Sequence, residues 1–448
     1  MYSSISNQTA PLLTDLYQLT MCASYFDNGH RGEATFDLFV RSMPPHRSYL
    51  LFAGLESALD YLKNLKFTDE CINYLDSTKL FKDSFLSYLE RFKFRGDVHA
   101  IAEGTLFFPN EPVMRVTAPL PQAQLVETFL LNTVNFQTLV ASKAARIATS
   151  ARNASLVDFS PRRDHGAEAA LQVARSSYIA GFTGTSNVLA GKKYGIPIYG
   201  TVAHSFIMSY EYELDAFRAY SSTFPDKCLL LIDTYDTLKG ARNAVKIGEE
   251  LKKNGHSLMG VRLDSGNLLK LSRKVRELLD KSGFKKSIIL ASGNLDEYKI
   301  EKLVKKKAPI DSFGVGTALG TSNDAPFLNV NYKLSEFKGK PVIKLSSGKM
   351  TLPGRKQVYR FYDGRGKMKH DLIGLESEKS SGRALLKQVM KNGRLARKHP
   401  PLNSIRKNAR RNLESLPGRC KRLKQASTYE VRLSKELQSI ISKLKQER

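Results

Sequence analysis

The feature of the sequence that most constrains the fold is a regular alternation of short apolar runs with helix-like segments between residues 155 and 315. Each run is rich in Val, Ile or Leu, as buried parallel strands are. Such alternation implies a parallel sheet with right-handed crossovers. Six units without a clear edge strand favour an irregular (β/α) barrel over an open sheet. The predicted strands are 155–159, 196–200, 229–233, 257–263, 287–291 and 312–315, and the predicted helices are 167–179, 187–194, 237–254, 268–282 and 295–306.

The segments on either side of this alternation predict a second domain of α+β type that is discontinuous in sequence. A chain of 448 residues is longer than one hydrophobic core normally needs. Residues 1–120 mix helical and strand patterns, and strand patterns return at about 330–365, where we expect them to complete the same domain. The predicted α/β architecture then has the barrel over 121–329 and a basic, helical C-terminal segment over 366–448 that packs on the domains.

The positive charge is concentrated in the last part of the chain. The formal net charge is +27, and residues 379–448 hold 20 Lys and Arg against 4 Asp and Glu, a net charge of +16. Nucleic-acid binding is one explanation of such a segment, and a solvated helical surface is the other. Val431 and Leu433, followed by apolar residues at helical spacing, predict a packed strand or turn and then an amphipathic helix.

Composition indicates what class of protein this is and in which compartment it is expected. A hydrophobic content of 42% with 25% charged residues is typical of a soluble globular protein. The first eleven residues lack Lys, Arg and a long apolar run, so we expect no signal peptide, and no stretch approaches the roughly 18 apolar residues of a membrane span. The four cysteines are scattered without a CxxC pair, which favours a reducing cytoplasm and predicts neither a zinc site nor a disulfide framework.

Polar side chains follow the predicted strands at the points where the strands end. His204 comes just after the run 196–200, and polar groups occur in the same way at 158–163, 233–236, 262–266 and 314–317. The carboxyl ends of barrel strands carry the active site. We therefore expect these ends to converge on one site with His204 as its reactive side chain; an isolated histidine in a surface loop is the alternative.

Two glycine-containing loops follow the last two predicted strands, where barrels commonly bind a phosphate. They contain Ser292 and Gly293 in the first loop, and Gly314, Gly316 and Thr317 in the second. Glycine lets backbone N–H groups approach an anion closely. One such loop is a weak signal, because glycine turns occur everywhere, and two in succession make a stronger one.

Arginines and carboxylates near the strand ends indicate an anionic substrate. Arg262 and Asp264 are two residues apart, so both side chains point to the same face of their strand. Arg262 can hold a carboxylate or phosphate, and Asp264 can hold sugar hydroxyls; a local ion pair between them is the alternative. Arg162 and Arg163 form a second cationic pair, which a plain surface position also explains. No Walker sequence and no strand-linked GxGxxG occurs, which leaves transfer at a phosphorylated sugar.

At this point the sequence resembles a known family, the nicotinate phosphoribosyltransferases of the type II phosphoribosyltransferase fold. The matching stretches span nearly the whole chain in order, and together they are far more specific than any one alone. They are TDLYQLTM (14–21), FQTLVASKAARI (136–147), DFSPRR (158–163), GFTGTSNVLAG (181–191), GTVAHSF (200–206), DTYDT (233–237), VRLDSGNL (261–268), FGVGTAL (313–319), LPGRKQVYR (352–360) and TYEVRLSKEL (428–437).

The resemblance implies a reaction and an assembly. Nicotinate and phosphoribosyl pyrophosphate give nicotinate mononucleotide and diphosphate, coupled to ATP hydrolysis, with Mg²⁺ and no tightly bound organic cofactor. A homodimer with shared active sites is implied as well. The similar ending of the chain weakens the nucleic-acid interpretation.

The resemblance also implies roles for individual residues. His204 becomes transiently phosphorylated, and we expect Asp233 to hold its other ring nitrogen. Tyr17 stacks on the pyridine ring from the partner subunit, while Thr201 and Arg262 bind nicotinate. Arg162 and Asp264 contact pyrophosphate and ribose. The phosphoribosyl phosphate site comprises Ser292, Gly293, Gly314, Gly316 and Thr317, and the metal ligands stay unassigned.

One position departs from the family pattern, and two other functions stay open. Asn294 stands in the phosphate loop where many relatives carry an acid, which puts a metal or ribose role of that position in doubt. A nicotinamide or quinolinate phosphoribosyltransferase is the alternative within the class. A nucleic-acid-binding protein that uses the basic tail is the alternative outside it.

Overall fold

A computed structural model describes residues 8–424 and 427–447 of the chain. These residues form two compact units, one from Met1–Ser142 with Ala325–Arg448 and the other from Lys143–Asp324, in so far as each is described. The boundaries proposed at 120, 329 and 366 stay predictions. Most of the N-terminal segment in which no signal peptide is expected lies outside the described residues.

The second unit is built on a six-stranded parallel sheet. Its strands follow in the spatial order Gly184–Thr185, Ser155–Asp158, Ser312–Val315, Ile288–Ala291, Gly260–Leu263 and Leu229–Leu231. Helices connect them, as parallel pairing requires. They are Ala167–Ala180, Val188–Tyr194, His204–Met208, Glu213–Thr223, Thr237–Lys253, Leu268–Lys281, Glu297–Lys305 and Thr317–Gly320, with a short 3₁₀ turn at Pro225–Lys227.

The predicted irregular barrel is confirmed, and its irregularity lies at one seam. An isolated parallel bridge between Thr185 and Ile198 extends the sheet at one edge. Among the described residues no pairing joins Ile198 to the strand Leu229–Leu231 at the other edge. The barrel is therefore open between these two segments.

The strand predicted at 196–200 is wrong, and a neighbouring strand was missed. Only Ile198 bridges to the sheet, whereas Gly184–Thr185 forms a true two-residue strand. A Cβ atom on Gly184 would lie 2.3 Å from the carbonyl oxygen of Pro197, so glycine alone permits this close backbone approach. The sequence signal failed because an apolar run with a central proline resembles a buried strand, while Ile198 and Tyr199 are in fact exposed.

The core of this unit lies between the sheet and its helices. Leu230, Val261 and Ile289 from three neighbouring strands are fully buried. The helix Thr237–Lys253 contributes small and branched side chains to the same cluster, including Ala241, Ala244 and Ile247. Burial of this one face fixes the helices against the sheet and leaves the carboxyl ends of the strands free for polar side chains.

The first unit is of mixed α+β type. Its larger sheet has the order Lys340–Pro341, Val330–Phe337, Glu33–Val40, Pro112–Pro119, Asp97–Ala100, Lys387–Lys391 and Arg394–Leu395. A second sheet has the order Arg383–Ala384, Lys356–Tyr362, Met368–Leu375 and Val431–Leu433, and Leu50–Leu51 pairs with Leu106–Phe107. The helices are Leu16–Asp27, Leu55–Asn64, Asp69–Ser77, Asp83–Glu90, Leu120–Leu125, Leu402–Ser415 and Lys435–Gln446, with Glu127–Ala151 running across the boundary and short 3₁₀ turns at Ala10–Leu12 and Gly418–Lys421.

The C-terminal segment is only partly helical, which corrects the prediction for 366–448. Strands occupy much of its first thirty residues, because alternation of polar and apolar residues there pairs it with other strands. The predicted ending is confirmed: the strand Val431–Leu433 precedes the helix Lys435–Gln446, whose Leu437 and Ile441 are buried. Within the described ranges, no helix is both long enough and apolar enough to cross a membrane.

A buried ion pair holds the second sheet of this unit together. The Arg360 guanidinium donates to both carboxylate oxygens of Asp371 at 2.6–3.1 Å, and both side chains are fully buried. Arg360 also donates to the carbonyl oxygen of Leu106, and the Tyr429 hydroxyl donates to Asp371. Burial, then the nearby charge of Asp371, raises the pKa of Glu111. Arg360 is thus the cation that compensates this acidic cluster.

Replacing Arg360→Leu should lower the free energy of unfolding by about 3–5 kcal/mol, because it leaves Asp371 buried without its cation. Urea denaturation followed by circular dichroism measures this loss. Arg432→Leu is the control, since Arg432 pairs with Glu430 at an exposed position and its removal should leave stability unchanged. Equal losses in the two variants would contradict the prediction.

Candidate active site

His204 opens a short helix after the irregular segment that follows Ile198. It is the first residue of the helix His204–Met208, and its side chain is 40% exposed. Its Nδ1 lies 3.1 Å from Thr234 Oγ1, and its Nε2 lies 3.8 Å from Asp264 Oδ2. The ring is therefore held between two other strand ends with one face accessible.

The residue that holds His204 is not the one predicted. Asp233 Oδ2 instead accepts hydrogen bonds from the Asp264 N–H at 2.8 Å and from the Ser265 hydroxyl at 2.6 Å. No hydrogen bond between Asp233 and His204 occurs in the described structure, and Thr234 takes that position. Both residues lie in the loop after the strand Leu229–Leu231, where Thr234 is at a bend, so the two neighbouring side chains reach different partners. Asp233 Oδ1 is buried and has no hydrogen-bond partner among the described residues.

Arg262 connects three strand ends. Its Nη1 donates to Thr201 Oγ1 at 3.1 Å and to the Val202 carbonyl oxygen at 3.3 Å. Its Nη2 donates to Asp264 Oδ1 at 2.8 Å, and its Nε donates to Ser292 Oγ at 2.8 Å. The local ion pair with Asp264 therefore exists, and four of the five N–H groups of the guanidinium have partners.

Asp264 is held as a carboxylate by its neighbours. Burial on its own raises the pKa of this group, but hydrogen bonds from Ser292 and Arg262 outweigh burial and bring the pKa below its ordinary value. The Ser292 hydroxyl donates to Asp264 Oδ1 at 2.6 Å, the same oxygen that Arg262 contacts. Asp264 Oδ2 is left to face His204.

The loop after the strand Ile288–Ala291 passes close to Asp264. A Cβ atom on Gly293, whose φ is +89°, would lie 1.8 Å from the Asp264 carbonyl oxygen, so this position requires glycine. Asn294 also has a positive φ of 47°. The loop ends at Asp296, whose side chain accepts a hydrogen bond from Lys299 N–H and caps the helix Glu297–Lys305.

The end of the strand Ser312–Val315 and the loop after it pack against the Phe159 residue. A Cβ atom on Gly314 would lie 2.3 Å from the Phe159 ring, and one on Gly316 would lie 3.1 Å from the Phe159 carbonyl oxygen. The same Phe159 ring lies 5.5 Å from the Arg262 guanidinium carbon. Thr317 follows as the exposed first residue of a four-residue helix. Phe159 thus links this loop to Arg262.

The remaining predicted residues are exposed. Arg162 and Arg163 extend from a loop that Asp158 anchors, since its oxygens accept hydrogen bonds from Ser160 and Thr185. Neither guanidinium makes a hydrogen bond or an ion pair with another side chain in the described part of the chain. Tyr17 belongs to the other unit, where it lies on the helix Leu16–Asp27 and is 48% exposed.

The structure therefore brings Thr201, His204, Arg262, Asp264 and Ser292 into direct contact or near contact at one end of the sheet. Sequence reasoning missed the contacts that Thr234, Ser265 and Phe159 make there. Each lies next to a residue that the sequence singled out, so the polar strand-end segments were the right signal, but the pattern does not show which of two adjacent side chains meets the site.

A half-buried carboxylate in the Arg162 loop makes stability depend on pH. Burial raises the pKa of Asp164 to about 6. An unfolded aspartate has a pKa near ~3.9, so the folded state binds the proton more tightly between about pH 4 and 6. Stability is therefore lost as the pH rises through this window.

Asp164→Asn should remove that loss, so the variant gains stability over the parent chain between about pH 4 and 7. Thermal unfolding of both chains at several pH values measures the difference. Asp363→Asn is the control. A backbone hydrogen bond from Lys367 lowers the pKa of that exposed carboxyl, so the difference in stability between this variant and the parent chain should stay constant above about pH 5. If the difference in stability between Asp164→Asn and the parent chain did not change with pH, the raised pKa of Asp164 would be contradicted.

Comparison with known families places these features in context. The profile of the nicotinate phosphoribosyltransferase (NAPRTase) N-terminal domain matches residues 12–135. The profile of the nicotinate phosphoribosyltransferase (NAPRTase) family matches residues 154–393, more than half of the chain, and includes all the strand ends described above. The profile of the nicotinate phosphoribosyltransferase C-terminal domain matches residues 379–441.

Individual relatives are similar over nearly their whole length. The chain is 42% identical to nicotinate phosphoribosyltransferase pncB2 of Mycobacterium tuberculosis, over 99% of this chain and 95% of the relative. It is 40% identical to nicotinate phosphoribosyltransferase of Bacillus subtilis, over 95% and 93%. The crystal structure of human nicotinic acid phosphoribosyltransferase superposes with a TM-score of 0.88 at 28% identity, covering 96% of this chain and 99% of that one.

Proposed function

Since this chain belongs to the nicotinate phosphoribosyltransferase family, we propose that it converts nicotinate, 5-phosphoribosyl 1-pyrophosphate, ATP and water to nicotinate mononucleotide, diphosphate, ADP and phosphate. This reaction is the first step of NAD biosynthesis from nicotinate. The observation that carries the proposal is the contact network of Arg262, which joins the strand ends of Thr201, Asp264 and Ser292 beside His204.

Arg262 and Thr201 bind the nicotinate carboxylate. Arg262 is a fixed cation with 14% of its side chain exposed, and one N–H of its Nη2 has no partner in the described structure. A carboxylate that binds there replaces the Thr201 hydroxyl or shares it, since that hydroxyl can turn to donate. An amide cannot form a charge pair with Arg262, so the site should discriminate against nicotinamide.

The ribose phosphate binds at the two glycine loops. Glycine at 293, 314 and 316 lets these segments pack against Asp264 and Phe159, and the backbone N–H groups of the two loops are the proposed anion donors. Thr317 adds a hydroxyl donor, while the buried Ser292, whose hydroxyl donates to Asp264, positions that carboxylate at the same site. Asp264 contacts the ribose and opposes positive charge at its first carbon as diphosphate leaves, and Arg162, unpaired in the described loop, contacts the pyrophosphate.

Asp233 is the residue that best fits a Mg²⁺ ion. Its buried Oδ1 has no hydrogen-bond partner among the described residues, and carboxylate oxygen is a preferred ligand of this ion. The described residues form no cluster of three or more His, Cys, Asp or Glu that could hold a metal. Mg²⁺ in this family would neutralise phosphate charge, and substrate oxygens and water would complete its coordination.

His204 couples the reaction to ATP. When Nδ1 carries the proton and donates it to Thr234 Oγ1, Nε2 presents its lone pair. Nε2 attacks the γ-phosphorus of ATP, the bond to the bridging oxygen breaks, and ADP leaves; water later cleaves the phosphorus–nitrogen bond and releases phosphate. Asp264, 3.8 Å from Nε2, links this step to the ribose site.

The assembly proposed is a homodimer with shared active sites. Exposed apolar side chains recur near the open seam of the barrel, among them Val188, Leu189 and Ile198, and exposed patches of this kind mark association surfaces. The exposed Tyr17 ring is suited to stack on the pyridine ring of a partner's substrate. The four cysteines are free thiols, which supports a cytoplasmic location, and the packed C-terminal helix makes nucleic-acid binding unnecessary to explain the basic tail.

Incubation with nicotinate, phosphoribosyl pyrophosphate and ATP should yield nicotinate mononucleotide, detected by mass analysis, and nicotinamide or quinolinate should not compete. Arg262→Gln should raise the KM for nicotinate by roughly 30-fold or more, since truncating one partner of a desolvated charge pair costs about 2–5 kcal/mol.

Arg276→Gln is the matched control for this substitution. Arg276 is similarly buried and also makes several hydrogen bonds in the same unit, yet none involves a residue at the carboxyl end of a strand. Its removal should leave the preference for nicotinate unchanged. Preferential use of nicotinamide or quinolinate by the unsubstituted chain would refute the proposed substrate.

His204→Ala should abolish the stimulation by ATP and reduce mononucleotide formation to the rate measured without ATP. Labelled γ-phosphate should appear as an acid-labile adduct on the unsubstituted chain and be absent from the variant. His256→Ala is the control, because His256 pairs with Asp226 in the same unit at a half-exposed position. Retention of the ATP-dependent gain by His204→Ala would refute the phosphohistidine role.

A further inference from the structure

A second concave site lies in the unit that contains both chain termini, and the proposed reaction uses none of its residues. The cavity has a volume of about 420 Å³. Its lining comes from the start of the helix Leu55–Asn64, the segment that follows the strand Asp97–Ala100, and residues 383–412 of the C-terminal part. This volume falls within the roughly 300–1,000 Å³ that is typical of small-molecule sites.

The floor of the cavity is apolar. Leu59, Val389 and Ile405 line it, and all three are buried from solvent. Ala100 and Leu55 extend the same surface, and both are also buried. The floor therefore offers an apolar contact surface within a polar rim.

Four cations stand at the rim: Arg383, Lys387, Arg397 and Lys398, all exposed. None has a carboxylate within ion-pair distance in the described structure, and the side-chain contact of Arg397 is a hydrogen bond to the Gln388 carbonyl oxygen. The lining acids are fewer, Glu56 and Glu103, and Glu103 Oε1 accepts the Gly54 N–H. The rim therefore has an excess of positive charge and favours an anion.

Tyr362 supplies an aromatic wall. It ends the strand Lys356–Tyr362, its side chain is 37% exposed, and its hydroxyl makes no hydrogen bond to another described residue. An exposed ring beside an apolar floor is a stacking surface for another flat ring, such as a nucleobase.

We propose that this cavity binds a nucleoside monophosphate, with its flat heteroaromatic ring against Tyr362 and the apolar floor and its phosphate at the Arg383 and Lys387 side of the rim. A purely apolar ligand would leave the rim cations uncompensated. An inorganic anion would leave the floor and the ring unused. The combination of the three features selects a ligand that has both a ring and a phosphate.

Adenosine monophosphate is the probe, titrated into the full-length protein by calorimetry and by equilibrium dialysis. The double substitution Arg383→Gln with Lys387→Gln should weaken the binding of adenosine monophosphate to this cavity at least tenfold. The rate of nicotinate mononucleotide formation should stay within twofold of that of the unsubstituted chain. Lys340→Gln with Lys349→Gln is the matched control, because both lysines are exposed in the same unit and neither lines the cavity. Arg262→Gln should leave the binding of adenosine monophosphate to this cavity unchanged.

A second variant separates the cavity from surface charge. Ala102→Trp places a large ring among the lining residues and keeps every rim cation, so it should also weaken the probe at least tenfold. Adenosine and inorganic phosphate alone should each bind at least tenfold more weakly than the monophosphate. Full binding by Ala102→Trp, or equal binding of phosphate and the monophosphate, would overturn the proposal.

Discussion

The Arg262 guanidinium is the interaction on which the organisation of the strand ends depends. It sits on the strand Gly260–Leu263 with the fully buried Val261 and Leu263 on either side, so its own side chain points to the opposite face. A partly buried cation needs partners, and Arg262 finds them in Thr201, Asp264 and Ser292, which come from three separate connections. Hydrogen bonds from Ser292 and Arg262 also lower the pKa of Asp264 beside His204, so Arg262 sets the geometry of the candidate site and shares with Ser292 in setting its charge.

The open seam of the barrel explains why this region needs such a cation. Between Ile198 and the strand Leu229–Leu231 no described ladder fixes the backbone, so the segment that leads to His204 is positioned by side chains. Thr201 and the Val202 carbonyl oxygen reach Arg262, and His204 reaches Thr234. These bonds replace the hydrogen bonds that a regular barrel strand would have supplied. The seam thereby gives the histidine exposure that a closed ladder would not allow.

Sequence patterns predicted most of the parallel sheet because buried strands and amphipathic helices have distinct periods. They located Arg262 and Asp264 on one face correctly, since that inference needed only the period of two. They failed where the local structure depends on contacts with segments that are distant in sequence. The bridge at Ile198 depends on how closely Gly184 approaches Pro197, and the choice of Thr234 over Asp233 depends on which face of that segment meets His204. The strand Lys387–Lys391 was missed because its partner, Asp97–Ala100, lies hundreds of residues away in sequence.

The backbone conformation at position 294 limits which residue types can stand there. Its φ of 47° lies in the left-handed region, which asparagine and aspartate tolerate better than most residues. Asparagine thus preserves the loop conformation that the acid expected from the family pattern would also adopt, but it removes one negative charge. The loop still passes over Asp264 through Gly293 and still ends at the cap formed by Asp296. The loop is proposed to bind a phosphate dianion, and an asparagine at position 294 repels that dianion less than an acid would. The substitution therefore weakens a metal-binding role for Asn294 but does not weaken the phosphate site.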